Sequence, residues 1–143
     1  MIPGFDKEME EMLTLPYEDR VKEGRIVVSK IFEMCKNGGL SEEDTFLFFR
    51  FFTKLFVSAD QVLNGKEYDY FIDITGFNID KVEFLKMVNY GADPDFIDDC
   101  IELIKMCNKE ERAIVCLYGA LLTVSDGKLT VKEIEIIERL LEA

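Results

Sequence analysis

Asp60, Asn64 and Glu67 crowd three oxygen donors into one short stretch, and Asp126, Thr130 and Glu133 do the same 66 residues later. Hard cations such as Ca2+ and Mg2+ prefer oxygen ligands. Asp60, Glu67, Asp126 and Glu133 are therefore the candidate metal ligands of the chain, with Ca2+ or Mg2+ as the candidate cofactor. Ca2+ takes roughly six to eight oxygens, so one stretch is too small and a tight site needs further carboxylates such as Asp69 or Asp73. Neither stretch has the alternating acidic positions of an EF-hand loop. A mechanical reading covers the same residues. Thr130 and Glu133 fit a capping box, with Leu129 and Ile134 as its hydrophobic staple; Asn64, Glu67, Leu63 and Tyr68 repeat those roles. Gly127 supplies a positive φ between helices, and Asp60 and Asp126 suit the positive end of a following helix.

Catalytic chemistry has little to work with. The chain has no histidine, the commonest general base and metal ligand. It also lacks a Gly-x-Ser-x-Gly elbow, a P-loop and a Gly-x-Gly-x-x-Gly turn. No catalytic or organic-cofactor residue is assigned, and the protein is expected not to be an enzyme. A carboxylate-dependent hydrolase is the alternative, because 29 acidic residues allow some pair to meet. Cys35, Cys100, Cys107 and Cys116 form no Cys-x-x-Cys pair. Cys100 and Cys107, seven apart, are expected on one helical face as small hydrophobes.

Charge narrows the partners. Acidic residues outnumber basic ones 29 to 17, a net charge of −12 that repels nucleic-acid phosphates and anionic lipid. Proteins with basic surfaces and divalent cations are the expected partners; nucleic acid and membrane insertion are not. Excess carboxylates also serve plain solubility. Met1-Ile2-Pro3-Gly4-Phe5-Asp6 has no basic region followed by an apolar stretch, so no signal peptide is expected. With free cysteines this points to the reducing cytoplasm.

The positioning elements read as helices throughout: about seven of them in one domain over residues 1–143, with no linker or low-complexity tract. A short acidic helix around 5–13 precedes Pro16. The next runs from about Glu18 to Lys36 and stops at Asn37-Gly38-Gly39. Ser41 opens a third, with Asp44 completing a capping box. From Phe46 to Val57 nine of twelve residues are apolar, so this helix is expected to be buried on nearly every side. Burying each such side chain contributes roughly 1.5–3 kcal/mol. Shorter helices follow from Asn64, from an Asn78 cap and from Asp93-Pro94. Asn108 caps a helix with no charge between Ala113 and Val124, and a last helix starts at Thr130.

The two most apolar helices share a sequel. Residues 55–67 and 121–133 match at Leu55/Leu121, Asp60/Asp126, Leu63/Leu129, Lys66/Lys132 and Glu67/Glu133. This indicates a duplicated helical hairpin around two central apolar helices. The segment from Ala120 to Glu133 resembles the signature of the TerB-like family of tellurite-resistance proteins. There a small-residue apolar helix leads into Ala-Asp-Gly, an apolar position, Ser or Thr, and Glu. Asp126, Gly127, Leu129, Thr130 and Glu133 match, with Ser125 in place of alanine. The first copy keeps Ala59, Asp60, Leu63 and Glu67 but has Gln61 for glycine and Asn64 for the hydroxyl residue. The resemblance implies a bundle of about seven helices, a divalent-metal site at the acidic turns, and association with stress-response or membrane-proximal protein complexes. It names no molecular activity, because the family has no agreed one.

The leading expectation is thus a non-catalytic, stress-response-associated scaffold or sensor that binds proteins, with a divalent cation as its candidate regulator. Beside the hydrolase, a small-molecule or lipid carrier is the other alternative, with Phe46, Phe48, Phe49, Phe51, Phe52 and Phe56 lining its cavity. Aromatic stripes at helical spacing are far more often packed core.

Overall fold

The computed structural model describes residues 11–12, 14–57, 65–88, 94–123 and 131–142, and from Tyr17 onward glycines, a proline and polar caps divide these described residues into seven helices. These are α1 (Tyr17–Asn37), α2 (Glu42–Val57), α3 (Gly65–Thr75), α4 (Lys81–Val88), α5 (Pro94–Ile104), α6 (Lys109–Thr123) and α7 (Val131–Glu142). No strand occurs among the described residues, and none of their helices is long and apolar enough to cross a membrane. The expected all-helical bundle is therefore the observed one. Of the expected helix around 5–13, only Glu11 and Met12 are described as helical; the remainder lies outside the described residues.

Local chemistry sets the boundaries. The Leu40 N–H donates to the Cys35 carbonyl (3.0 Å) and the Gly39 N–H to that of Lys36 (3.1 Å), closing α1 in a Schellman arrangement. Gly39 takes the φ of +83° that this cap requires. Ser41 Oγ accepts the Asp44 N–H at 3.1 Å to open α2. Asn108 and Glu111 cap α6 reciprocally, each side chain accepting the other's backbone N–H at 2.9 Å. One cap differs from expectation. Asp80, not Asn78, opens α4, accepting the Glu83 N–H at 2.8 Å. The chain before it is tied down at two points, because Tyr68 Oη donates to the Ile79 carbonyl at 2.7 Å and the Phe77 N–H reaches Thr75 Oγ1.

The two apolar helices lie side by side at the centre, as expected. The Phe49 and Tyr118 rings meet edge to face, with centroids 5.4 Å apart. One step along, the Thr53 and Tyr118 hydroxyls hydrogen-bond at 2.6 Å, and both residues are buried. Gly119 lies so close to the Phe56 ring that a Cβ there would sit 2.4 Å from it. α6 is packed by α1, α2, α3 and α7, whereas α2 is packed by α6, α4, α5 and α1.

The duplication reaches further than a hairpin. α1 and α5 end at Asn37 and Ile104, and α2 and α6 begin at Glu42 and Lys109, both 67 residues apart. α2 and α6 end at Val57 and Thr123, and α3 and α7 begin at Gly65 and Val131, both 66 apart. The single-residue change falls within the central helices, which have 16 and 15 residues. Three helices thus recur in order, with α4 between the copies. Packing follows the same exchange: α1 lies on α6 and α5 on α2, while α1 meets α3 and α5 meets α7.

Candidate functional site

The candidate metal ligands are placed only in part. Asp60 and Asp126, with Asn64 and Thr130, lie outside the described residues. Glu67 and Glu133 fall in the first turns of α3 and α7, at equivalent positions, but their side chains are outside the described set. Among the described residues no group of three or more His, Cys, Asp or Glu is arranged to hold a metal. Of the auxiliary carboxylates, Asp73 is already engaged. Its side chain accepts from the Tyr17 hydroxyl, and its backbone carbonyl accepts from Arg25 Nε at 3.0 Å. Asp69 is exposed.

The phenylalanine cluster divides in two. Phe49, Phe52 and Phe56 are at most 1% exposed and belong to the core. Phe51 is a different matter, and it corrects the expectation that α2 is covered on nearly every side. Asp44, Leu47, Phe48 and Phe51 fall on one helical stripe and line an open groove of about 450 Å³ at one end of the bundle. This volume lies within the range of natural ligand pockets.

Four helix ends build that groove. Met34, Cys35 and Gly38 come from the end of α1, and Leu40 from the turn that follows its cap. Leu103 comes from the last turn of α5, Met106 and Cys107 from the α5–α6 turn, and Glu111 from the first turn of α6. That turn is tight: the Met106 N–H donates to the Leu103 carbonyl (3.3 Å) and the Cys107 N–H to that of Ile104 (2.9 Å). Because α5 stops at Ile104, Cys107 does not share a helical face with Cys100, contrary to the seven-residue spacing. Instead it joins Cys35 in the groove.

The groove surface is greasy and soft. Leu47 is 39%, Phe51 46%, Leu103 42% and Met106 84% exposed, an unusual grouping for side chains of this kind. Its two thiols are not primed for chemistry. Burial raises the pKa of Cys35, partly offset by a hydrogen bond from Thr45; burial and then the Glu111 charge raise that of Cys107. Elsewhere burial pushes Cys100 up to about 11 and Cys116 up to about 12. All four therefore stay as neutral thiols, poor nucleophiles and poor metal ligands near neutral pH.

A second, smaller cleft of about 340 Å³ lies between α2 and α4, lined by Phe46, Arg50, Ile79, Glu83 and Lys86. Its charges are mixed, and nothing convergent is built into it. Set against known proteins, the chain matches no family model, no curated protein and no solved structure.

Sequence reasoning overlooked the groove although a signal was present. A helix that buries a single face needs about three apolar positions in every seven. α2 carries a surplus, and the surplus residues Leu47 and Phe51 are four apart on the uncovered side.

Proposed function

We propose that the protein is a non-catalytic scaffold or sensor module that works by holding another protein, and that the groove between the α1–α2 and α5–α6 turns is where it docks. The observation that carries this reading is the cluster of large apolar side chains, Leu47, Phe51, Leu103 and Met106, left in solvent around one concave face. Exposed apolar patches of this kind mark interaction sites more often than they decorate an inert surface. Methionine favours adaptable binding, since its unbranched thioether follows a partner's shape. The absence of histidine and the neutral thiols fit a role in recognition rather than bond-making.

A photo-crosslinking amino acid replacing Met106 in the full chain tests this in cells. It should couple to a discrete protein, while the same replacement at exposed Ser29 on α1 should not. Equal coupling from both positions, or none from Met106, would overturn the docking reading.

The TerB-like resemblance belongs to the same proposal, with the acidic turns at Asp60, Glu67, Asp126 and Glu133 binding Ca2+ or Mg2+ as a regulator. Thermal melting with each cation against a chelator checks it. A ligand of the folded state alone must raise the midpoint by an amount set by its concentration over its Kd. Unchanged midpoints with both ions would remove the cation.

A second reading has one observation in its favour. The groove is large enough for a small apolar molecule, and Phe48 and Phe51 from the original aromatic set line it. Native mass spectrometry of the purified chain distinguishes the two, because a carrier retains a small ligand of discrete mass.

A further inference from the structure

The charges around the groove say what kind of protein segment it takes. We infer that the groove receives an amphipathic helix whose apolar face is bordered by lysine or arginine, an inference that rests on the docking reading above. The two charged residues that line it among the described ones, Asp44 and Glu111, are both carboxylates. They occupy equivalent positions of the two halves, each three residues beyond a helix cap, at Ser41 and Asn108. The groove therefore presents one carboxylate from each central helix.

Helix dipoles do not reverse that sign. The N-termini of α2 and α6 bring about half a positive charge each, and the C-termini of α1 and α5 about half a negative charge each, so these contributions cancel. What remains is side-chain charge. Glu42, Glu43 and Asp44 occupy the first turn of α2, and Glu110 and Glu111 that of α6, against Lys36 in the last turn of α1 and Lys109 and Arg112 at the start of α6, none of which lines the groove. Lys105 at this end is drawn off by Glu102 at 3.0 Å and does not line the groove.

Other occupants fit poorly. A second copy would bring another −12 of charge to an already acidic surface. The first ten residues carry Asp6, Glu8 and Glu10 against Lys7, which is the wrong sign. With no strand among the described residues there is no sheet edge for an extended peptide to extend, whereas a hollow between helix ends suits the helix-in-groove mode. Lysine or arginine bordering the apolar face would meet Asp44 and Glu111, while leucine-sized residues settle against Leu47, Phe51 and Met106.

Three labelled synthetic peptides of about 14 residues test this by fluorescence anisotropy on the full chain. One is a leucine–lysine amphipathic helix, the second has every lysine replaced by glutamate, and the third scrambles the first so that no single apolar face forms. The first should bind at least about tenfold more tightly than either of the others, and weaken as salt rises from about 50 to 500 mM. Asp44→Asn with Glu111→Gln, which keeps the α6 cap, should weaken it roughly three- to tenfold. Phe51→Ser and Met106→Ser should each weaken it further. Equal binding of the glutamate peptide, or indifference to the Asp44/Glu111 pair, would overturn the basic partner while the serine variants still report docking. Equal binding of the scrambled peptide would overturn the helix. If the serine variants leave the first peptide's binding intact, it is held elsewhere and the docking reading fails with it.

Discussion

In the first half of the molecule α1 meets α3 through buried groups. Gly24 gives α3 its closest approach, since a Cβ there would lie 2.6 Å from both Ile74 Cγ2 and Tyr70 Oη. Tyr70, 1% exposed, donates its hydroxyl to the Arg20 carbonyl at 2.7 Å, and Tyr17 packs edge-on against its ring. In the second half the same joint, α5 against α7, carries an ion pair in solvent: Arg139 to Asp98 at 3.0 Å, with the two side chains 51% and 62% exposed. The first helix has 21 residues in one half and 11 in the other. A repeat of caps and breakers fixes where helices begin and end, but it leaves open what locks them together. The first joint carries a buried hydrogen bond and a close glycine contact, the second an ion pair in solvent.

The centre, where the halves meet, is where the comparison breaks most easily. Phe56→Ala should cost about 3–5 kcal/mol in urea unfolding, because the cavity opens against a helix that cannot close in. Gly119→Val alone should cost about 1–3 kcal/mol through overpacking against the Phe56 ring. Combined, the two should lose clearly less than their sum, since the valine fills the space that the ring vacates. Strict additivity would mean that the halves do not cross at Gly119. Tyr118→Phe comes next. It leaves the buried Thr53 hydroxyl without its partner across the crossing and should cost about 1–3 kcal/mol, with helix content unchanged by circular dichroism.

Much of this layout is legible in the amino-acid sequence. Gly38-Gly39, Pro94, Ser41 and Asn108 act within a few residues of themselves, so their effects on helix ends can be read locally. Asn78 misled because the choice between it and Asp80 turned on Tyr68 anchoring the Ile79 carbonyl, a contact between elements. The groove failed to emerge for a similar reason. Composition shows that α2 is apolar in excess, but only the packing of α6, α4, α5 and α1 decides that the side bearing Leu47 and Phe51 stays open. Cys107 reached the groove because α5 ends three residues before it, an end marked by neither glycine nor proline. The acidic stretches that first drew notice, at Asp60 and Asp126, fall outside the described residues, so the candidate site with the clearest geometry is one the motifs did not name.

The two joints give the finest contrast. Tyr70→Phe removes one hydrogen bond from a buried ring and should cost about 0.5–1.5 kcal/mol, insensitive to salt because water and ions do not reach it. Asp98→Asn removes the opposing charge from Arg139 and should cost about 0.2–1 kcal/mol in low salt. Raising salt should erase that difference, as screening already weakens an exposed pair in the parent protein. Urea unfolding of both variants at low and high salt makes the comparison directly. A salt-independent loss for Asp98→Asn as large as that for Tyr70→Phe would mean that the second joint is as well shielded as the first. The contrast between burial and charge would then have to be abandoned, leaving two halves alike in their fastening as well as their helix boundaries.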